Sequence, residues 1–236
     1  MDKETFKTFV RKIDGLCYEE ICFLLYSLVK SLSHIYADIL EIGAYKGRVS
    51  VSLALAVKEN NMQAKVFSLD INYFNTKKEF INNIERFNLE DVIIPIFKPS
   101  SLASIGWRRP LKFIFIDTDG NYFSAKCDFI LWERFLLKGG IIALSCADSP
   151  PIKRFFNEYI KRSDRFNKFK DTGAIIFAYK EKESAVYFLK IFYIIITYTI
   201  YSLLKIIYYQ LRDKRVFCFL KSSLFRKIIN LLKKLL

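Results

Sequence analysis

Apolar side chains in the first 36 residues recur at helical spacing. Phe6, Phe9, Val10 and Ile13, then Ile21, Leu24, Leu25 and Leu28, predict two helices broken near Gly15. The pattern then shifts to short apolar runs: ADILEI (37–42), AKVFSLD (64–70), VIIPIF (92–97), LKFIFID (111–117), GIIALS (140–145) and AIIFAY (174–179). Amphipathic stretches of helical period lie between them, around 46–59, 76–88, 122–137 and 150–163. Strands apolar on both faces and alternating with helices predict a doubly wound, mostly parallel α/β sheet ending near residue 180. Ligands of such sheets bind beyond the carboxyl ends of the strands.

From residue 184 the chain becomes one long apolar, Tyr-rich stretch broken only by Lys190 and Lys205. Its longest uncharged run, Ile191 to Leu204, has 14 residues, fewer than the roughly 20 a membrane span needs. Glu183, Tyr187, Lys190, Thr197, Tyr201, Lys205, Tyr208 and Arg212 recur at intervals of three, four or seven and so share one helical face. An apolar helix with a narrow polar stripe suits a membrane interface. The terminal segment 221–236 reads as a second, basic amphipathic helix suited to anionic headgroups. A transmembrane span and an interface with a second copy of the chain stand as alternatives.

Charge sharpens this division. The 236 residues carry 38 Lys and Arg against 24 Asp and Glu, a net of +14. Residues 180–236 alone hold 12 basic and 3 acidic side chains. Most of the excess therefore interleaves with Leu and Ile in the tail, and no solvated basic patch points to nucleic acid. An apolar content of 52% excludes a disordered chain. The five cysteines form no CxxC pair, and no cleavable signal precedes the first helix, so reduced thiols in a cytoplasmic protein are expected. The only histidine, His34, makes a His-based metal site or a Ser-His-Asp triad improbable.

The strand ends carry the candidate chemistry. The first runs into Glu41-Ile42-Gly43-Ala44-Tyr45-Lys46-Gly47-Arg48, a glycine turn opening a helix, where backbone can approach a ligand. Its E-x-G-x-x-x-G spacing is not the dinucleotide fingerprint. The second strand ends in Asp70, placed either to accept both hydroxyls of a ribose or to cap a helix. The fourth ends in Ile116-Asp117-Thr118-Asp119-Gly120-Asn121-Tyr122, and Leu137-Lys138-Gly139-Gly140 precedes the fifth.

This ordering, over about residues 20–180, resembles class I S-adenosylmethionine-dependent methyltransferases. It is similar in particular to the small-molecule and sugar O-methyltransferase branch (methyltransferase family 24-like). The resemblance implies a Rossmann-like seven-stranded sheet and S-adenosylmethionine as cofactor. It implies that Glu41, Gly43 and Gly47 border the methionine part of the cofactor and that Asp70 holds the ribose. Ile71 would pack on adenine, Ser100 or Ser101 would lie at the adenine edge, and Asp117 would sit beside the methyl-transfer centre. Asp117 or Asp119 is then the best available base. The expected organisation is a helical cap (1–36), a cofactor-binding methyltransferase domain (37–183) and an apolar, basic tail (184–236). The expected acceptor is a sugar or another small or lipid-linked molecule, met on the inner face of a membrane. Departures from the family accompany this. Relatives commonly carry His where Gly120 stands and an acid-containing pair where Ser145-Cys146 stands, and Lys98-Pro99 replaces the usual acid before the adenine contact. Asp117 and Asp119, helped only by Asp148, are a poor ligand set for a hard divalent ion, so no metal is expected. The same departures leave open a non-catalytic, methyltransferase-like binding or scaffold protein.

Overall fold

Seven strands form one sheet in the order β3-β2-β1-β4-β5-β7-β6. They are β1 (Asp38–Ile42), β2 (Val66–Leu69), β3 (Ile93–Ile96), β4 (Leu111–Ile116), β5 (Leu136–Leu144), β6 (Phe166–Asp171) and β7 (Ile176–Lys180). The computed structural model describes residues 1–117, 119–183 and 188–211. The first five strands pair in parallel, while β7 runs antiparallel to both β5 and β6. Strand order reverses beside β1, which places a crevice at the carboxyl ends of β1, β2 and β4.

Alternation along the central strands explains why both faces are covered. In β4, Phe113 and Phe115 enter one apolar core and Ile114 and Ile116 the other; Ile141, Ile142, Ala143 and Leu144 of β5 divide the same way. The first core is closed by α1 (Lys3–Val10), α2 (Glu19–Ser31), α3 (Arg48–Glu59) and α4 (Lys77–Arg86). The second is closed by the short α5 (Ser100–Ala103), α6 (Tyr122–Trp132), α7 (Pro150–Phe155) and part of α8 (Phe188–Leu211). Each fully buried large apolar side chain contributes roughly 1.5–3 kcal/mol, and Phe113, Phe115, Phe129 and Trp132 are all in that class.

Two stretches differ from the expected pattern. Strand β5 begins at Leu136, so Leu137 to Gly140 lie within it and not before it. They form an irregularity: Leu111 pairs with Leu136 but Phe113 with Ile141, and Gly139 takes φ +82°. Strand β6 (FNKFKD) is an edge strand with most side chains exposed, so it lacks the apolar run that marks its neighbours.

Helix α8 is the larger correction. The described middle of its polar stripe, Thr197, Tyr201 and Lys205, turns toward the α/β domain. Thr197, Tyr198, Tyr201 and Ser202 are buried against the α/β domain, as are Ile191 and Ile194. Ser101 and Thr199 share a hydroxyl hydrogen bond of 2.6 Å, the Tyr198 phenol donates to Asp128 at 3.0 Å, and Lys205 pairs with Asp119. These partners on α5, on α6 and after β4 turn the stripe inward, because a buried polar group must be matched. No helix among the described residues is long and apolar enough to cross a membrane. Tyr187, Arg212 and the helix expected over 221–236 lie outside the described residues.

Candidate active site

A cavity of about 340 Å³ opens at the carboxyl ends of β1, β2 and β4, within the usual range for small ligands. Its floor begins at the turn after β1. Gly43 takes φ +98°, and a Cβ there would lie 1.9 Å from the Asp117 carbonyl oxygen. Only glycine lets the β1 and β4 chain ends approach so closely. Gly47, in the left-handed region at φ +87°, caps α3 and packs against the Phe80 ring. It stands behind the turn and does not border the cavity.

Three carboxyl groups complete the floor. Glu41 is fully buried; Ser50 and Ser68 donate to its Oε2, the latter at 2.8 Å. Its Oε1 has no hydrogen-bond partner among the described residues. Burial pushes this carboxyl up to about 7, against the pull of the two serines. Asp70 closes β2: Tyr45 N–H donates to its Oδ2 at 2.7 Å and Asn72 N–H to its Oδ1 at 2.5 Å. Its carboxyl also lies above the usual range, burial outweighing those two N–H groups. It thereby ties the end of β2 to the glycine turn and keeps lone pairs for further donors. Asp117 follows β4, and burial pushes its carboxyl up to about 6, opposed by a hydrogen bond from Ser145.

The walls come from distant parts of the chain. Gly15, Leu16 and Cys17 border one side. Arg48 holds that segment, donating to the Ile13 carbonyl at 2.6 Å and the Cys17 carbonyl at 2.7 Å. Ile71, Tyr73 and Phe74 follow β2, and Ser100 follows β3. Opposite them stand Ser124 and Asp128 of α6 with Tyr198, Tyr201, Ser202 and Lys205 of α8. Trp132 Nε1 donates to Ser100 Oγ at 2.6 Å, which leaves the Ser100 hydroxyl proton for Asp128. Asp128 is fully buried, its Oδ1 has no partner among the described residues, and burial pushes its carboxyl up to about 7.

Of the residues singled out from sequence, Glu41, Gly43, Asp70, Ile71, Ser100, Asp117 and Asp119 meet around this one cavity. Ser101 does not; it is buried against α8. Asp128, Tyr198 and Lys205 carry no motif signal, although the spacing of Thr197, Tyr201 and Lys205 does mark a polar helical face. No group of three His, Cys, Asp or Glu side chains with metal-binding geometry occurs among the described residues.

The orphaned Glu41 oxygen suits a cationic amino group, and Asp70 suits a diol. The close approach at Gly43 leaves room for a ligand along the turn, so these residues fit S-adenosylmethionine. Residues 40–145 match the family model of methyltransferase family 24, a methyltransferase domain. The fold is similar to that of the O-methyltransferase NovP (TM-score 0.62, 11% identity, covering 70% of this chain and 81% of that one). It is similar also to the methyltransferase PaMTH1 of Podospora anserina, solved with SAH bound (TM-score 0.58, 10% identity, 76% and 88% covered). An rRNA methylase from Streptococcus thermophilus shares it too (TM-score 0.54, 11% identity, 67% and 95% covered). At such identities the likeness is one of fold, and it spans proteins described by different acceptors. The family match and the acidic strand ends fall on the same edge of the same sheet: residues 40–145 form a methyltransferase domain of the S-adenosylmethionine-dependent kind.

Proposed function

We propose that this enzyme methylates an oxygen of a sugar or other small, lipid-linked acceptor at a membrane surface. The observation that carries the transfer chemistry is Asp117, a half-buried residue bordering the cavity whose carboxyl is pushed up to about 6 by loss of solvent around it. S-adenosylmethionine supplies an electrophilic methyl group on a sulfonium. What remains for the protein is to align an acceptor oxygen and to take its proton. Asp117, largely ionised at neutral pH yet more basic than an exposed aspartate, is suited to accept that proton. Asp119 is less suited, because the Lys205 ammonium holds its carboxylate. Glu41 would receive the amino group of the cofactor, Asp70 its ribose hydroxyls, Ile71 an adenine face and Ser100 the adenine edge. Gly43 gives the backbone its close approach, while Gly47 and Ser101 support from behind.

An apolar rim supports an acceptor with a greasy part. Leu16 and Phe74 both border the cavity, yet they are 81% and 59% exposed. The outer face of α8 supports the membrane location: Phe192, Ile196, Ile200, Leu203 and Ile207 lie on it, each at least 44% exposed.

Two measurements test this reading. Titration calorimetry should detect S-adenosylmethionine binding to the wild-type protein, and a folded protein that binds none would overturn it. Asp117→Asn should keep cofactor affinity within about threefold and lower transfer of labelled methyl into a lipid-linked glycan extract by about 10²–10³-fold. Label found only in water-soluble acceptors would overturn the lipid-linked assignment.

A further inference from the structure

Helix α8 has two faces with opposite tasks. One face presents Tyr198, Tyr201, Ser202 and Lys205 to the cavity. The other presents Phe192, Ile196, Ile200, Leu203 and Ile207 to solvent. Positions four, eight, eleven and fifteen after Phe192 fall on one side of a helix, so this is a continuous stripe. A surface helix of a soluble protein ordinarily hydrates the side it leaves outside, whereas α8 leaves this apolar stripe there and buries Ile191, Ile194, Thr197, Tyr198, Tyr201 and Ser202. The short α5 beside it and the turn that follows add Leu102 and Ile105, both exposed, and α5 is joined to α8 through Ser101 and Thr199.

The occupant of that stripe is indicated by charge. The 25 residues after Leu211 contain eight Lys or Arg and one acid, set among Leu, Ile and Phe. An apolar helix face followed directly by such a sequence fits an anionic bilayer: the stripe enters the acyl boundary and the cations meet the headgroups.

The seat of α8 on the domain is partly polar. Besides Ile191, Ile194 and the rings of Tyr198 and Tyr201 against Phe123, it rests on Tyr198–Asp128, Thr199–Ser101 and Lys205–Asp119. Polar contacts like these exchange for water at small net cost, so a helix seated through them can leave more readily than one packed only in a core.

We infer that the outer face of α8 docks on an anionic lipid bilayer, and that this docking holds its inner face as a wall of the cofactor cavity, so that bilayer and cofactor bind cooperatively. The inference rests on the membrane reading given above and adds the coupling. Both ligands favour the seated helix, each from its own side, and whatever factor the bilayer adds to cofactor affinity the cofactor must return to bilayer affinity.

Full-length protein is tested with vesicles of phosphatidylcholine and phosphatidylglycerol, and of phosphatidylcholine alone. Calorimetry with S-adenosylhomocysteine and vesicle flotation are the two readouts. Anionic vesicles should lower the dissociation constant at least about fivefold, and the cofactor product should raise flotation by the same factor. The double variant Ile200→Asp, Leu203→Asp should lose flotation and the vesicle effect, while its affinity without vesicles stays at the wild-type value. Flotation with an unchanged dissociation constant overturns the coupling and leaves the membrane reading standing. Absence of flotation, with normal binding in solution, overturns the membrane reading itself. The same holds if light scattering shows the stripe consumed in a dimer that the double variant dissolves. Absence of binding in every condition instead overturns the assignment of the cavity.

Discussion

Glu41, Gly43, Asp70 and Asp117 border the cavity from the ends of three neighbouring strands, whereas Tyr198, Tyr201 and Lys205 border it from a helix that begins only at Phe188. The strand ends are fixed by a parallel ladder buried on both faces, and their positions follow from backbone hydrogen bonds such as Asp117 N–H to the Ile42 carbonyl at 2.8 Å. The helix is fixed by side chains, several of them polar. Damage at the floor therefore changes the shape of the site, while damage at the wall changes how firmly the site is closed.

That contrast is open to measurement. The largest effect is expected at the floor. Gly43→Val places a branched side chain where even a methyl carbon would lie 1.9 Å from the Asp117 carbonyl. It should weaken cofactor binding by at least about 100-fold and destabilise the fold by more than about 2 kcal/mol. Calorimetry and thermal unfolding would read both, and near-normal values would show that the turn has freedom the structure does not display.

Next comes pH. Burial raises the carboxyls of Glu41 to about 7, Asp117 to about 6 and Asp128 to about 7. The native state thus holds protons that the unfolded chain gives up near the ordinary carboxyl range. The stability from these groups is fully present below that range and is lost as pH rises through about 6 to 7. The cofactor-free protein should have a lower Tm at pH 8 than at pH 5, and Glu41→Gln should flatten the difference. A Tm that rises over this interval would contradict the burial of these acids.

The smallest effect is expected at the wall. Tyr198→Phe removes one donor to Asp128 and keeps the ring against Phe123. A loss of about 1 kcal/mol in stability and a cofactor affinity reduced about fivefold are expected. If this variant proved as harmful as Gly43→Val, wall and floor would be one rigid unit, and the comparison would fail.

Much of the floor was legible in the sequence because its signals are local. An apolar run and the glycine turn or acid that ends it occur within a few residues of each other, and the strand ladder brings successive ends together whatever the rest of the chain does. Less local features were not legible. The edge strand β6 carries too few apolar residues to declare itself, and the start of β5 is disguised by a glycine pair inside the strand. Gly47 and Ser101 lie where the motif spacing suggests but outside the cavity lining, Gly47 against the Phe80 ring and Ser101 against Thr199. Asp128 looks like one more polar residue of an apolar helix until Ser100 and Tyr198 are seen to meet it.

Helix α8 shows the boundary between the two kinds of information most plainly. Its sequence fixes a helix with a polar stripe and an apolar remainder, because periodicity is a property of neighbouring residues. Which side turns inward depends on partners more than 60 positions away: Ser101, Asp119 and Asp128. A polar stripe faces water only when nothing better is offered to it. Here the domain offers hydroxyls and carboxylates at the rim of its cavity, and the tertiary structure alone decides that the stripe completes the site while the apolar side is left outside.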